Sequence, residues 1–323
     1  MFCGSDSPAK STKIGTGHLP VLLREVLGVF TPRENKSYLD ATFGGGGHSR
    51  ALLDLAPPVS IVAIDCDPEA VQRAKVLSES YPGRFRFYDL NFCDMDQIEE
   101  IQFDGVFFDY GVSSFHFDQP ERGFSFRSDG PVDMRINPRV GQTAAEFLET
   151  ASKDELIQAI KVYGEESAWK SIVDAILKAR GTELLSNTKS LAELISNTIP
   201  TPVRSRSKLN PATKTFQGLR IAVNRELDVI ETALPKAFDL LAPDGVLAAI
   251  SFHSLEDRIV KRFFRKLCGQ PLDRNDSTPQ QMRSVVAEPL TRKPITATQE
   301  EIAQNPRSRS AKLRAVRKLV GLT

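Results

Sequence analysis

Apolar residues fall into two rhythms along this chain. Short apolar-rich runs starting at Tyr38, at Ser60–Ile64, Phe85–Tyr88, Asp104–Asp109 and Gly245–Ser251 have strand length and predict buried strands. Between them, apolar positions recur at helical spacing over His18–Phe30, Pro68–Ser80, Lys214–Ala233 and Ser254–Leu267. Asp67-Pro68 opens the second of these as a cap followed by a first-turn proline. Strands alternating with helices predict an α/β fold with a parallel-rich sheet covered on both faces.

The alternation stops between Phe117 and Asn210. A loop rich in Gly, Pro, Arg and Asp (Gln119–Pro138) leads there into helical segments near Thr143–Ala151, Lys153–Val162, Glu166–Lys178 and Ser190–Ile199. The predicted organisation is a loose tail over 1–17, one α/β domain from 18–116 and 211–323, and an inserted all-helical domain over 117–210 that borders the cleft at the strands' carboxyl ends.

With 323 residues, 41% of them hydrophobic, the chain can bury a full core. Cys3, Cys66, Cys93 and Cys268 are scattered without disulfide or metal spacing, which predicts a reducing, cytoplasmic compartment. The tail lacks both a signal-peptide core and the arginine-rich character of a transit peptide, and no segment has the apolar length of a membrane span. The net charge of +1 conceals asymmetry. Residues 1–200 carry 20 Lys and Arg against 29 Asp and Glu, whereas 201–323 carry 22 against 12. Basic clusters at Arg204–Lys208, Arg258–Lys266 and Arg307–Lys318 read as solvated faces one by one; together they favour a polyanion partner.

The first strand runs directly into Gly44-Gly45-Gly46-Gly47-His48, and the second ends in Asp65, eighteen residues after Gly47. A glycine turn between strand and helix admits positive φ and close approach of backbone N–H groups to a ligand, and an acid at this spacing suits ribose hydroxyls. No Lys-Ser/Thr pair follows the glycines, so the loop is not a triphosphate loop; S-adenosylmethionine remains open. Asp109, at the tip of the fourth strand in Asp109-Tyr110-Gly111-Val112-Ser113-Ser114, is placed in the same crevice, where a carboxylate can align a poorly nucleophilic ring amine. Its other reading is a turn cap.

His253, in Ser251-Phe252-His253-Ser254-Leu255-Glu256-Asp257, is either a base or phosphate contact or a structural histidine beside a helix start, with Ser254 and Asp257 resembling a cap box. Phe124 and Phe126 suit either stacking on unpaired bases or anchoring the insert. Lys214 and Arg220 suit RNA phosphates or a plain turn into a helix. The four histidines have no metal-site spacing, and no metal is expected.

Eight segments in order now carry a resemblance: Thr42–Ser49, Ala63–Asp65, Asp109–Ser114, Glu121–Phe126, Gly130–Arg135, Pro211–Gln217, Ser251–Arg258 and Asn305–Ser310. From His18 to about Arg317 the chain resembles the MraW-like family of small-subunit ribosomal RNA methyltransferases, the H type. The resemblance implies a Rossmann-like class I methyltransferase that uses S-adenosyl-L-methionine to methylate N4 of one cytidine in the decoding region of 16S ribosomal RNA, free or in an assembling small subunit. It implies cofactor contacts from Gly46, Gly47, His48, Asp65, Phe92, Asp109 and His116, with Asp109 catalytic. Tyr110 stands where the family usually has Leu, Asn210 where it often has His, and His116 where Gln is common. Tyr110, Phe124, Phe126, Lys214, Arg220 and His253 are the RNA candidates. An amino-methyltransferase acting on DNA or another RNA and a non-catalytic assembly factor are the alternatives; a NAD-dependent oxidoreductase leaves the basic half unexplained. Oligomeric state stays open, a homodimer included.

Overall fold

The computed structural model describes residues 19–55, 58–99, 102–199 and 210–321. The 1–17 tail and the Arg204–Lys208 cluster lie outside them.

Eight strands form one sheet: β1 (Ser37–Asp40), β2 (Ser60–Asp65), β3 (Phe85–Asp89), β4 (Phe103–Asp109), β5 (Leu241–Ser251), β6 (Ala287–Pro289), β7 (Ile295–Thr296) and β8 (Lys312–Lys318). The order is β3-β2-β1-β4-β5-β8-β6, with β7 also on β8. The first five run parallel and β8 runs antiparallel to β5. Because side chains alternate across a strand, a sheet buried on both faces needs continuous apolar runs. Tyr38, Ile61, Ala63 and Phe107 pack with the helices Leu23–Phe30, Gly47–Leu53 and Pro68–Ser80. Leu39, Val62, Ile64, Val106 and Phe108 pack with Glu226–Asp239 and Ser254–Leu267 on the other side. Strand order reverses around β1 and β4, which opens a crevice at their carboxyl ends.

β8 was not among the expected strands. Its sequence, KLRAVRK, reads as a basic cluster, yet Leu313, Ala315 and Val316 are buried and the cations are used locally. Arg314 makes a forked bond to Asp257 (2.7 and 3.2 Å), Arg317 meets Glu288 at 3.1 Å, and Lys318 Nζ donates to the Leu241 carbonyl at 2.7 Å. This part of the basic C-terminal run is therefore structural, not a free polyanion surface.

The long helix expected over Lys214–Ala233 is two helices, Thr213–Asn224 and Glu226–Asp239, broken where Arg225 takes φ 49°. Asn224 explains the break: its Nδ2 donates to the Met134 carbonyl and its Oδ1 accepts from Ile136 N, both at 2.7 Å, so the helix end is tied to the insert.

Helices Ala144–Thr150, Lys153–Ile157, Trp169–Ala179 and Thr188–Thr198 surround a third core. The first two start with capping boxes, Thr143 with Glu146 and Ser152 with Glu155. This core also takes in Ala212, Phe216 and Leu219, beyond residue 210. The contact is glycine-lined. A Cβ on Gly218 would lie 2.1 Å from the Ala159 carbonyl oxygen, and one on Gly164 would lie 2.6 Å from that of Lys214. Two backbones meet there with no room for a side chain. Among the described residues no helix is long and apolar enough to cross a membrane.

Candidate active site

The glycine turn is built by the ends of β1 and β2. Gly44 and Gly46 take φ 50° and 73°, and Gly46 caps the helix Gly47–Leu53. Asp65 closes the turn: its Oδ2 accepts from Gly44 N at 2.7 Å and its Oδ1 from Asp67 N at 2.9 Å. Burial raises its pKa, and these two N–H groups oppose the shift. The glycines also admit the chain's own rings. A Cβ would lie 2.6 Å from Phe43 at Gly46, 2.8 Å from Phe115 at Gly45 and 2.6 Å from Pro20 at Gly47.

Asp109 sits on the tip of β4 with about a quarter of its side chain open to the crevice (24%). Its backbone N–H donates to Thr42 Oγ1 at 2.6 Å, which locks the β4 tip to the start of the glycine turn. Its Oδ1 is buried without a hydrogen-bond partner. Burial first, then the charges of Asp40 and Glu256, push its pKa well above the usual carboxylate range.

Asp40 and His48 form the floor, a pair sequence reasoning saw only in part. Asp40 accepts from Ser49 Oγ at 2.6 Å and from Thr42 N at 3.2 Å, and burial pushes its pKa up to about 6. No motif marks it, since it reads as the last residue of a strand. Burial pushes His48 down to about 4, so the ring is neutral at pH 7. His48 Nε2 lies 2.9 Å from the Val21 carbonyl, which can only accept, so that nitrogen carries the proton and Nδ1 carries a lone pair.

A second polar cluster lies where β5 meets the helix Ser254–Leu267. His253, not Ser254, is the N-cap, and its partner is Glu256 rather than Asp257. Asp257 is instead committed to Arg314 and, at 3.6 Å, to Lys312. Glu256 Oε2 accepts from Phe252 N at 2.7 Å, and Oε1 lies 2.9 Å from His253 Nε2. Burial pushes the Glu256 pKa up, but His253, Arg220 and the Phe252 N–H outweigh it and hold the group ionised. Glu226, His253 and Glu256 are the one trio of metal-ligating types within reach of each other among the described residues. Arg220 already spans both Glu226 oxygens at 2.8 and 2.9 Å, which does not suit a cation site.

The remaining expected residues divide by burial. His116 is buried with Nε2 2.9 Å from Asp67 Oδ2, and Arg122 reaches the other Asp67 oxygen at 3.2 Å. The histidine thus acts on the segment behind Asp65. Phe92 is half-buried, its ring 5.6 Å from Phe108 and 6.0 Å from Tyr110. Tyr110 is buried and stacked on Phe108 at 5.1 Å, its hydroxyl without a partner. Three RNA candidates have partners within the fold. Phe124 is buried 5.0 Å from His116, and Phe126 meets Phe216 edge-on at 4.9 Å, so both rings anchor the insert. Arg220 is consumed by Glu226, leaving no fork for phosphate. Lys214 Nζ donates to the Glu165 carbonyl at 3.0 Å.

Residues 15–319 match the model of the MraW methylase family. The chain is 44% identical over 309 residues to a protein of Gluconobacter oxydans, covering 94% of each, and 45% identical over 305 residues to one of Paramagnetospirillum magneticum, covering 92% of this chain and 94% of that relative. A Thermomicrobium roseum protein is 43% identical, with 95% of each covered. All three bear the name ribosomal RNA small subunit methyltransferase H. Spanning the glycine turn, the β4 tip and the helical insert alike, these matches establish that the chain belongs to the MraW methylase family.

Proposed function

We propose that the protein methylates N4 of one cytidine in the decoding region of small-subunit ribosomal RNA, using S-adenosyl-L-methionine. The observation that carries the reading is Asp109: a carboxylate on a strand tip at the switch point, open to the crevice, with one oxygen unpartnered. The relatives' shared name supplies the substrate class. The carboxylate suits a ring amine that must be aligned before it can attack, and cytidine N4 is the ring amine that the family resemblance implies.

The residues fit the cofactor. The turn that Gly44 and Gly46 shape at positive φ is compatible with close backbone approach, and Asp65 keeps a second lone pair on each oxygen beyond the N–H bonds it accepts. Gly46, Gly47, Asp65 and the Phe92 ring edge are the groups that would hold it. When bound, it supplies a methyl group activated by a sulfonium.

The exposed side of the Asp109 carboxylate accepts a hydrogen bond from the exocyclic amine and turns the nitrogen lone pair out of conjugation with the ring. The Thr42 bond fixes the backbone from which that carboxylate projects. After transfer the nitrogen must lose a proton. Asp109, with its raised pKa, is matched to take it. No general acid is needed, because the departing thioether is neutral.

The test is incubation of the purified protein and methyl-labelled S-adenosylmethionine with small subunits lacking the modification, followed by nucleoside mass spectrometry. Label on N4 of a single decoding-region cytidine is expected. Preferential labelling of duplex DNA, or cofactor binding with no label on any RNA, would overturn the reading.

A further inference from the structure

The insert and the C-terminal segment flank an open pocket that none of the expected site residues lines. It measures about 430 Å³ and is bounded by Arg127, Asn305, Pro306 and Arg307. Arg127 is exposed, and among the described residues its guanidinium has no ion-pair partner. Burial depresses the Arg307 pKa, Asp118 opposes the shift, and the smaller effect of the nearby Arg127 charge adds to it. The Asp118 carboxylate stands 3.7 Å from Arg307 and is more than half exposed (56%), so solvent screens this ion pair. Two guanidinium groups thus line one pocket, Arg307 paired with Asp118 and Arg127 exposed.

The neighbouring surface is aromatic. The Arg307 guanidinium carbon lies 5.6 Å from the centroid of Phe117, whose ring is 39% exposed. Phe117 belongs to the helix Ser114–Asp118, which also carries Phe115, the ring packed over Gly45. From the other side, Asn305 Nδ2 donates to the Leu19 carbonyl at 3.0 Å, and the next residue, Pro20, covers Gly47. Phe117 and Leu19, which touch Arg307 and Asn305, thus stand one or two positions along the chain from groups that pack on the glycine turn.

We infer that the Arg127–Arg307 pocket binds a backbone phosphodiester of the substrate RNA, with the exposed face of Phe117 stacking an adjacent unpaired base. Forked guanidinium groups match phosphate oxygens in pairs, and an aromatic face beside them is sequence-tolerant, which suits holding a strand rather than reading it. The site rests on the reading of the protein as an RNA methyltransferase and supplies the free contact that Phe124, Phe126 and Arg220 do not.

The experiment is fluorescence anisotropy with a short labelled single-stranded RNA carrying the target cytidine, titrated at several salt concentrations against wild type, Arg127→Ala, Arg127→Lys and Phe117→Leu. In parallel, S-adenosylmethionine binding is measured by calorimetry. Arg127→Ala is expected to weaken RNA binding on the order of tenfold and to lower the salt slope by about one, with cofactor affinity unchanged. Lys at this position restores the slope but only part of the affinity, and Phe117→Leu weakens binding at an unaltered slope. Wild-type affinity and slope in Arg127→Ala would overturn the inference while leaving the RNA methyltransferase reading intact. Loss of cofactor binding in its place would assign the pocket to the cofactor's carboxylate. A wild-type protein that binds no RNA would sink both.

Discussion

His48 Nδ1 lies 3.8 Å from Asp109 Oδ2, beyond hydrogen-bond range but with nothing else assigned to that nitrogen. The Val21 carbonyl takes the Nε2 proton, so the face His48 turns toward Asp109 is a lone pair. A charged imidazole there would hold Asp109 ionised. A neutral one leaves the carboxyl free to exchange a proton with a substrate, which is what the proposed amine methylation requires of it.

Replacing Asp109 by Ala is therefore expected to lower methyl transfer by at least about 100-fold, with RNA affinity by anisotropy within experimental error of wild type. Equal loss of both would place Asp109 in the RNA-binding surface. In the wild type, transfer should climb with pH as Asp109 ionises, along a limb above the usual carboxylate range. Asp40→Asn removes a charge that raises the Asp109 pKa, so it should move that limb to lower pH.

Asp40 and His48 oppose each other in the pH dependence of stability. His48 goes from 6.5 unfolded to about 4 folded, so the unfolded chain binds more protons between those values and stability is lost as pH falls through them. Asp40 goes from 3.8 to about 6, so here the folded state binds more protons and stability is lost as pH rises through that window. Each is worth roughly 3 kcal/mol across its window, and between pH 4 and 6 they largely cancel. Asp40→Asn unmasks the histidine: its melting temperature should fall much more steeply than wild type's on acidification from pH 6 to 4. Parallel curves for the two proteins would refute the pairing.

Gly218→Ala is the sharpest probe of how the insert is held. The new methyl has no side chain to displace, only the Ala159 carbonyl and the Gly164 backbone nitrogen, so the two segments must part. A loss of several kcal/mol is expected, read as a lower urea midpoint. Gly141→Ala is strained at φ 76° but meets no atom within 4 Å, so it separates backbone strain from lost docking.

Tyr110→Phe removes a buried hydroxyl that has no partner. If the hydroxyl serves only the fold, the variant gains about 1 kcal/mol in urea unfolding and transfers methyl groups at the wild-type rate. A stability gain with a loss of transfer would assign the hydroxyl to the substrate.

What the sequence revealed of this molecule followed the range of its interactions. The glycine turn, Asp65 and Asp109 are legible because strand, turn and terminal acid are consecutive, and each acid stands at a strand end that periodicity locates. Asp40 was hidden by the same periodicity, which treats it as the last residue of a strand. Its importance comes from Ser49, Thr42 and the sheet closing around it. Likewise no local signal shows that Glu226 consumes the Arg220 fork, or that Phe124 turns inward toward His116. β8 was missed for a different reason: its cations dominate the composition, and only Asp257, Glu288 and the carbonyls near Leu241 make them compatible with a strand. The break at Arg225 depends on Asn224 reaching residues 134 and 136, about ninety positions away.

The place of β8 between β5 and β6 also governs how the chain can be made. Synthesis delivers the parallel strands first, but the flank of β5 finds its neighbour only when residues 312–318 emerge. Until then a nascent chain carries an open, strongly apolar strand edge from Val246 to Ile250, the kind of edge that recruits other chains. Closure of this side of the sheet thus waits on residues 312–318. Fragments ending before Lys312 are expected to aggregate rather than to yield a smaller working enzyme.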